Sequence, residues 1–144
     1  MADLVFKYGS MGSSKSAFAL MLSFSYAESG KSVLLLKPSI DTRDGEDIIK
    51  SRVGIEAPCK VFSPTERITT KFIDDLLSCD VIIVDEAQFA SKKQIEELKA
   101  ISEEMDKPVY CFGLRTDFQT NMFEGSKRLF ELATKIESLP KKCE

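Results

Sequence analysis

Lys15 and Ser16 follow a run of small residues, Gly9-Ser10-Met11-Gly12-Ser13-Ser14. The run lies between the apolar Leu4-Val5-Phe6 and the helical-looking Ala17-Phe18-Ala19-Leu20-Met21-Leu22. A small-residue loop that leaves a strand and enters a helix through Lys-Ser has the layout of a phosphate-binding loop. Backbone N–H groups of such a loop converge on an anion, and the helix dipole adds positive potential there. Lys15 then reaches the β- and γ-phosphates, and the Ser16 hydroxyl is placed to ligate Mg²⁺. The general pattern has glycine where Ser14 stands, and a Cβ at that point crowds a phosphate approached by backbone. Without a ligand, the same stretch reads as a strand-to-helix turn capped by Ser13 or Ser14.

Further along, four apolar residues, Val81-Ile82-Ile83-Val84, end in Asp85-Glu86. A buried strand ending in aspartate suits a carboxylate that supports Mg²⁺ opposite a phosphate loop. Glu86 beside it is placed to accept a proton from an attacking hydroxyl or water. Taken alone, Asp85 is also a plausible cap and Glu86 a surface acid. Asp41 and Arg43 are candidates to assist around the phosphates, or else a turn with a salt bridge. Phe89, Phe118 and Phe123 are spaced to clamp a planar base, or to fill core.

These residues need a scaffold that brings them together. The 144 residues suit one domain, burying roughly two-thirds of the unfolded surface. Apolar content of 43% and charged content of 30% are those of a soluble globular chain. The net charge of −3 argues against nucleic-acid coating, which needs a basic face. No apolar run is long enough to span a membrane and no signal-peptide pattern stands at the start, so the expected location is the cytoplasm. Histidine is absent, and Cys59, Cys79, Cys111 and Cys143 form no C-x-x-C pair. An ordinary Cys/His zinc site and a His-based catalytic pair are therefore not available within the chain. Cys79 and Cys111, in apolar strand-like runs, read as reduced core residues.

Strands are expected at Leu4–Tyr8, Ser32–Lys37, Cys59–Phe62, Val81–Val84, Val109–Gly113 and near Lys135–Leu139. Helices are expected from about Ser16 to Ala27, from Ser63 or Thr65 to about Leu77, from Lys92 to Met105, and from Ser126 to Ala133. The second of these presents Ile68, Phe72, Ile73, Leu76 and Leu77 on one face. Ser39 to about Pro58 reads as a long polar connection, functional or partly mobile, and Leu114 to Gly125 as a second long loop. Alternating strands and helices imply parallel βαβ units, with ligands at the carboxyl edge of the sheet. The phosphate loop, Asp85-Glu86 and the loop after Gly113 all leave strands at that edge.

Taken together, the residues resemble the zinc-containing thymidine kinase family of bacteria and animals. The matching pieces are Gly9-Ser10-Met11 with Lys15-Ser16, Ile40-Asp41-Thr42-Arg43, Ser51-Arg52-Val53-Gly54, Val84-Asp85-Glu86-Ala87-Gln88-Phe89, and Gly113 to Phe118 followed by Phe123-Glu124-Gly125-Ser126. They stand in family order over almost the whole chain. The resemblance implies an α/β architecture, the RecA-like P-loop NTPase fold, with a mostly parallel central sheet flanked by helices. It implies transfer of the ATP γ-phosphate to the 5′-hydroxyl of thymidine, with Mg²⁺. Carried over residue by residue, Lys15 and Ser16 hold phosphate and Mg²⁺, Asp85 supports Mg²⁺, and Glu86 is the base. Gly9 to Ser16 and Asp85-Glu86-Ala87-Gln88 form the nucleotide side. Met11, Phe89, Leu114, Phe118 and Phe123 match positions around the thymidine. The family is typically a homotetramer.

Two departures shape the expectations. Ser14 replaces a loop glycine, and Thr120 stands where glycine is frequent in bacterial relatives. The resemblance also divides the chain into a nucleoside-kinase domain at 1–139 and, at 140–144, the start of a zinc-binding lobe that carries the thymine-covering lasso. Cys143 matches the first of that lobe's four zinc ligands, so the zinc site is incomplete within the sequence. The alternatives to a kinase are a nucleotide-binding or assembly module without turnover, and a P-loop ATPase in which Glu86 activates water.

Overall fold

The computed structural model describes residues 1–9, 15–39, 47–116 and 121–140. In chain order the strands are β1 (Leu4–Gly9), β2 (Val33–Pro38), β3 (Ile48–Lys50), β4 (Glu56–Pro58), β5 (Lys60–Phe62), β6 (Val81–Val84), β7 (Val109–Leu114) and β8 (Lys135–Ser138). Six of them form one sheet in the order β5-β2-β6-β7-β1-β8, and every pairing within it is parallel. The helices are α1 (Lys15–Glu28), α2 (Ile68–Lys71), α3 (Ile73–Ser78), α4 (Lys92–Glu104) and α5 (Glu124–Leu132).

The period-two alternation of side chains divides the core between the two faces of the sheet. Leu34, Leu36, Ile82, Val84 and Cys111 join Ile68, Leu76, Ile95, Leu98 and Leu129 on the face covered by α2 to α5. Leu35, Ile83 and Phe112 join Ala19 and Leu20 of α1 and Ile49 of β3 on the other. Strand β6 is buried on both sides along its whole length, which is why it reads as an unbroken β-branched run. The edge strand β8 is exposed throughout.

All six expected strands and the first and third expected helices stand within a residue or so of their expected bounds, and the fourth helix opens two residues earlier than expected, at Glu124. Helix α1 ends at a left-handed Gly30 (φ +82°), where the Lys31 N–H bonds back to the Tyr26 carbonyl at 3.0 Å. Helix α4 opens on a capping box: Ser91 Oγ accepts from the Gln94 N–H at 3.2 Å, and Gln94 Oε1 accepts from the Ser91 N–H at 2.9 Å.

Three expectations are corrected. The connection from Ser39 to Pro58 carries an antiparallel hairpin, β3 with β4, that packs Ile49 beneath α1. The helix expected from Ser63 or Thr65 to Leu77 is two short pieces broken at Phe72 (φ −115°, ψ 24°). Phe72 is buried against Phe62, while Ile73 and Leu77 turn outward rather than joining one apolar face. Cys79 follows α3 as its C-cap and does not sit in a strand. It is nonetheless a free, buried thiol, as are Cys59 and Cys111. Burial pushes the Cys59 thiol up to about 11 and raises Cys111 further, as expected of inert core residues. Among the described residues no helix is long and apolar enough to cross a membrane.

Candidate active site

Strand β7 lies between β1 and β6, so the first turn of α1 must reach over the end of β7 to meet the end of β6. It does so through two side chains. Lys15 Nζ donates to Glu86 Oε1 at 2.9 Å, and Ser16 Oγ donates to Asp85 Oδ2 at 2.7 Å. The lysine and serine that the sequence assigns to phosphate and Mg²⁺ thus meet the two acids assigned to metal and proton, from 71 and 69 positions away.

Asp85 is 1% exposed, and among the described residues its Oδ1 has no hydrogen-bond partner. Burial holds its carboxyl above the usual carboxylate range; the Lys15 ammonium and the Ser16 hydroxyl pull against that rise, and the Glu86 charge adds to it. A buried acid with one oxygen unsatisfied is an unfavourable arrangement unless something electropositive completes it. Carboxylate and hydroxyl oxygens are the hard donors that Mg²⁺ takes alongside phosphate oxygens. The residues present therefore fit the ion that the phosphate-loop reading calls for.

Glu86 stands in the left-handed region (φ 56°, ψ 35°), a conformation that a residue with a Cβ adopts at a cost. The kink turns the chain off β6 into a single 3₁₀ turn at Ala87–Phe89. Two glycines give that turn its place. A Cβ on Gly113 would come within 2.6 Å of Gln88 Oε1 and 3.0 Å of the Gln88 N. A Cβ on Gly125 would collide with the Ala87 carbonyl oxygen and approach that of Ala90 to 2.8 Å. Gln88 is buried, and its Oε1 accepts from the Leu114 N–H at 3.2 Å. Ser126, fully buried in the first turn of α5, donates its hydroxyl to the Leu114 carbonyl. Phe89 and Phe123 are partly buried and meet edge-to-face with ring centroids 5.4 Å apart. An isolated antiparallel bridge between Thr116 and Met122 closes the base of the following loop.

Of the residues assigned from sequence, the structure brings together Lys15, Ser16, Asp85 and Glu86 at one point of the carboxyl edge. Ala87, Gln88, Phe89, Leu114 and Phe123 form an adjoining ledge. Gly9 ends β1 in register with Leu114. Ser10, Met11, Gly12, Ser13, Ser14, Asp41, Arg43, Phe118 and Cys143 lie outside the described residues. Among the described residues, no three His, Cys, Asp or Glu side chains gather as a metal cluster. The residues that sequence reasoning left without a role are Gly113, Gly125 and Ser126. They stood inside the matching motifs, but a contact made across the fold gives no local signal.

Comparison with solved structures reinforces the architecture. AMPPCP-bound DnaA from Aquifex aeolicus superposes with a TM-score of 0.58 at 14% identity, covering 96% of this chain and 41% of that one. The Pif1 helicase of Candida albicans gives 0.52 at 13%, covering 99% and 36%. The likeness is one of fold, and in this chain β7 separates the strand that leads toward Lys15 from the strand that ends at Asp85. Sequence relatives are far nearer. Thymidine kinases of Zymomonas mobilis and Shewanella oneidensis are each 42% identical over 147 residues, spanning 99% of this chain and 75% and 76% of theirs. That of Streptococcus pyogenes serotype M3 is 40% identical over 145 residues, spanning all of this chain and 76% of its own. The profile of the thymidine kinase family matches residues 2–144, and the chain belongs to that family.

Proposed function

We propose that the chain is an ATP-dependent thymidine kinase, moving the γ-phosphoryl group of ATP to the 5′-hydroxyl of thymidine. The observation that carries the reading is the meeting of Lys15 with Glu86 at 2.9 Å and of Ser16 with Asp85 at 2.7 Å. One cation, one hydroxyl and two acids with separable tasks stand where a phosphoryl group can be passed.

Phosphoryl transfer asks the protein for position and for relief of charge. Lys15 supplies a mobile ammonium on a flexible stem, close enough to the loop to follow phosphate oxygens. Until nucleotide arrives it is spent on Glu86. Phosphates draw it away and leave Glu86 Oε1 open to accept the proton of the 5′-hydroxyl. Ser16 Oγ and Asp85 would hold Mg²⁺, which offsets charge on the β- and γ-phosphates. The half-buried Phe89 and Phe123, with Leu114, offer apolar surface to a pyrimidine ring. In this reading Met11 and Phe118 complete that surface, and Asp41 and Arg43 serve the phosphate side. The resemblance further supports a cytoplasmic homotetramer, and sedimentation of the purified chain tests the assembly.

The deciding experiment mixes the protein with Mg·ATP and radiolabelled thymidine and resolves thymidine monophosphate. Product is expected, and Glu86→Gln should lower kcat by about 10²- to 10⁴-fold while ATP still binds. No monophosphate at high enzyme concentration would defeat the kinase reading. ADP released at one rate with or without thymidine would replace it with an ATPase.

A further inference from the structure

Leu114 is the last residue of β7, and both of its peptide groups are gripped by side chains from other elements. Its N–H goes to Gln88 Oε1 from the turn after β6, and its carbonyl receives the Ser126 hydroxyl from the start of α5. Serine in the first turn of a helix ordinarily serves its own backbone. Ser126 instead turns outward, is fully buried, and spends its hydroxyl twelve positions back along the chain. The two glycines remove the side chains that would hold these segments apart, since neither Gly113 nor Gly125 has room for a Cβ against the 87–90 turn. The end of β6, the end of β7 and the start of α5 are thereby locked into one body, with Glu86 at its rim. The Phe89 and Phe123 rings come from two different segments of that body.

We propose that Ser126 is a positioning residue for the nucleoside, acting through Leu114: by holding the Leu114 carbonyl it fixes the apolar ledge at a set distance from Glu86. The inference rests on the kinase reading given above, because it takes Leu114, Phe89 and Phe123 as the nucleoside side. The phosphate side is built from α1 and the end of β6 and does not use the Ser126 hydroxyl. Loss of that hydroxyl therefore removes a part-buried tether from the Leu114 carbonyl, lets Leu114 drift, and weakens nucleoside binding without touching ATP.

The test is steady-state kinetics of the full chain with each substrate varied in turn, for wild type and Ser126→Ala. The expected result is a thymidine KM raised about tenfold with the ATP KM unchanged, the size of one lost part-buried hydrogen bond. Hydrogen–deuterium exchange supplies a second reading, with amides 114–116 exchanging faster in the variant and those of β6 unaltered. If the alanine variant does not fold, Ser126→Cys keeps the side-chain shape with a somewhat larger atom, substitutes a weak donor, and carries the same expectations. An unchanged thymidine KM, equal rises in both KM values, or failure of both variants to fold would overturn the positioning role. Wild-type protein that makes no thymidine monophosphate would overturn the kinase reading itself, so the two failures are told apart.

Discussion

With one carboxylate oxygen taking the Ser16 hydroxyl at 2.7 Å and the other unpartnered among the described residues, Asp85 is a buried acid that those residues only half satisfy. Its neighbour Glu86 holds a left-handed backbone that costs about 1–2 kcal/mol for a residue bearing a Cβ. Strain and incomplete solvation thus stand side by side at the proposed site. A stability consequence follows for Asp85. Its folded carboxyl titrates above the ordinary value of 3.8, so the native state holds that proton more tightly than the unfolded chain does. The associated stability is fully present below the unfolded value and is lost as pH rises through the folded one. Asp85→Asn keeps an oxygen for Ser16 and cannot ionise. In urea unfolding without nucleotide, the variant should match wild type in acid, below the ordinary carboxylate range, and become progressively more stable than it as pH rises through the titration of the folded carboxyl. A gap that does not open with pH would contradict the burial argument.

At the scale of elements, what was legible followed from how local each signal is. The β-branched run of β6 and the apolar face of α4 show themselves within a few residues, and both stand where the pattern placed them. Asp85-Glu86 and Lys15-Ser16 were readable because strand ends in a parallel sheet face one edge. The β3–β4 hairpin was not readable. Its strands are three residues each, one ends in proline, and only Ile49 is deeply buried. The break between α2 and α3 was hidden for a related reason, since the apolar spacing of 68–77 suits one helix while Phe72 packs on Phe62 instead. Nor does either Ser63 or Thr65 cap α2. Glu97 of α4 does, accepting from the Ile68 N–H at 3.1 Å, the Thr69 N–H at 3.0 Å and the Thr69 hydroxyl at 2.7 Å. No local pattern announces a cap borrowed from 29 positions away. Glu97→Ala leaves those donors without a protein acceptor and should cost about 1–3 kcal/mol in urea unfolding. Thymidine and ATP KM values should stay at wild-type levels, because α2 takes no part in the site. A loss within about 0.5 kcal/mol would mean that water caps α2 as well as Glu97 does.

For the molecule as a whole, the site is a bridge. Strands β1 and β6 are separated by β7, and the described side chains joining the start of α1 to the end of β6 are Lys15 and Ser16. Mg·ATP would occupy the same junction and replace a repelling arrangement, two neighbouring acids with one oxygen unsatisfied, by a neutralised one. A ligand that binds only the folded state adds stability as RT ln(1 + [L]/Kd), about 2.7 kcal/mol at a hundredfold excess over Kd. For a domain of this size that corresponds to a rise in Tm of roughly 5–10 °C. On the proposed reading the rise should depend on the metal, which would complete the Asp85 oxygen left unpartnered among the described residues. Scanning calorimetry should therefore show a large shift with Mg·ATP and a small one with ATP in EDTA. In Asp85→Asn the two conditions should give the same small shift, although that variant begins from a higher Tm at neutral pH. Lys15→Ala should lose the shift under both conditions, since the lysine meets phosphate whether or not metal is present. Equal shifts for wild type with and without Mg²⁺ would place the nucleotide elsewhere on the protein and leave the buried acid at the end of β6 without its counter-charge.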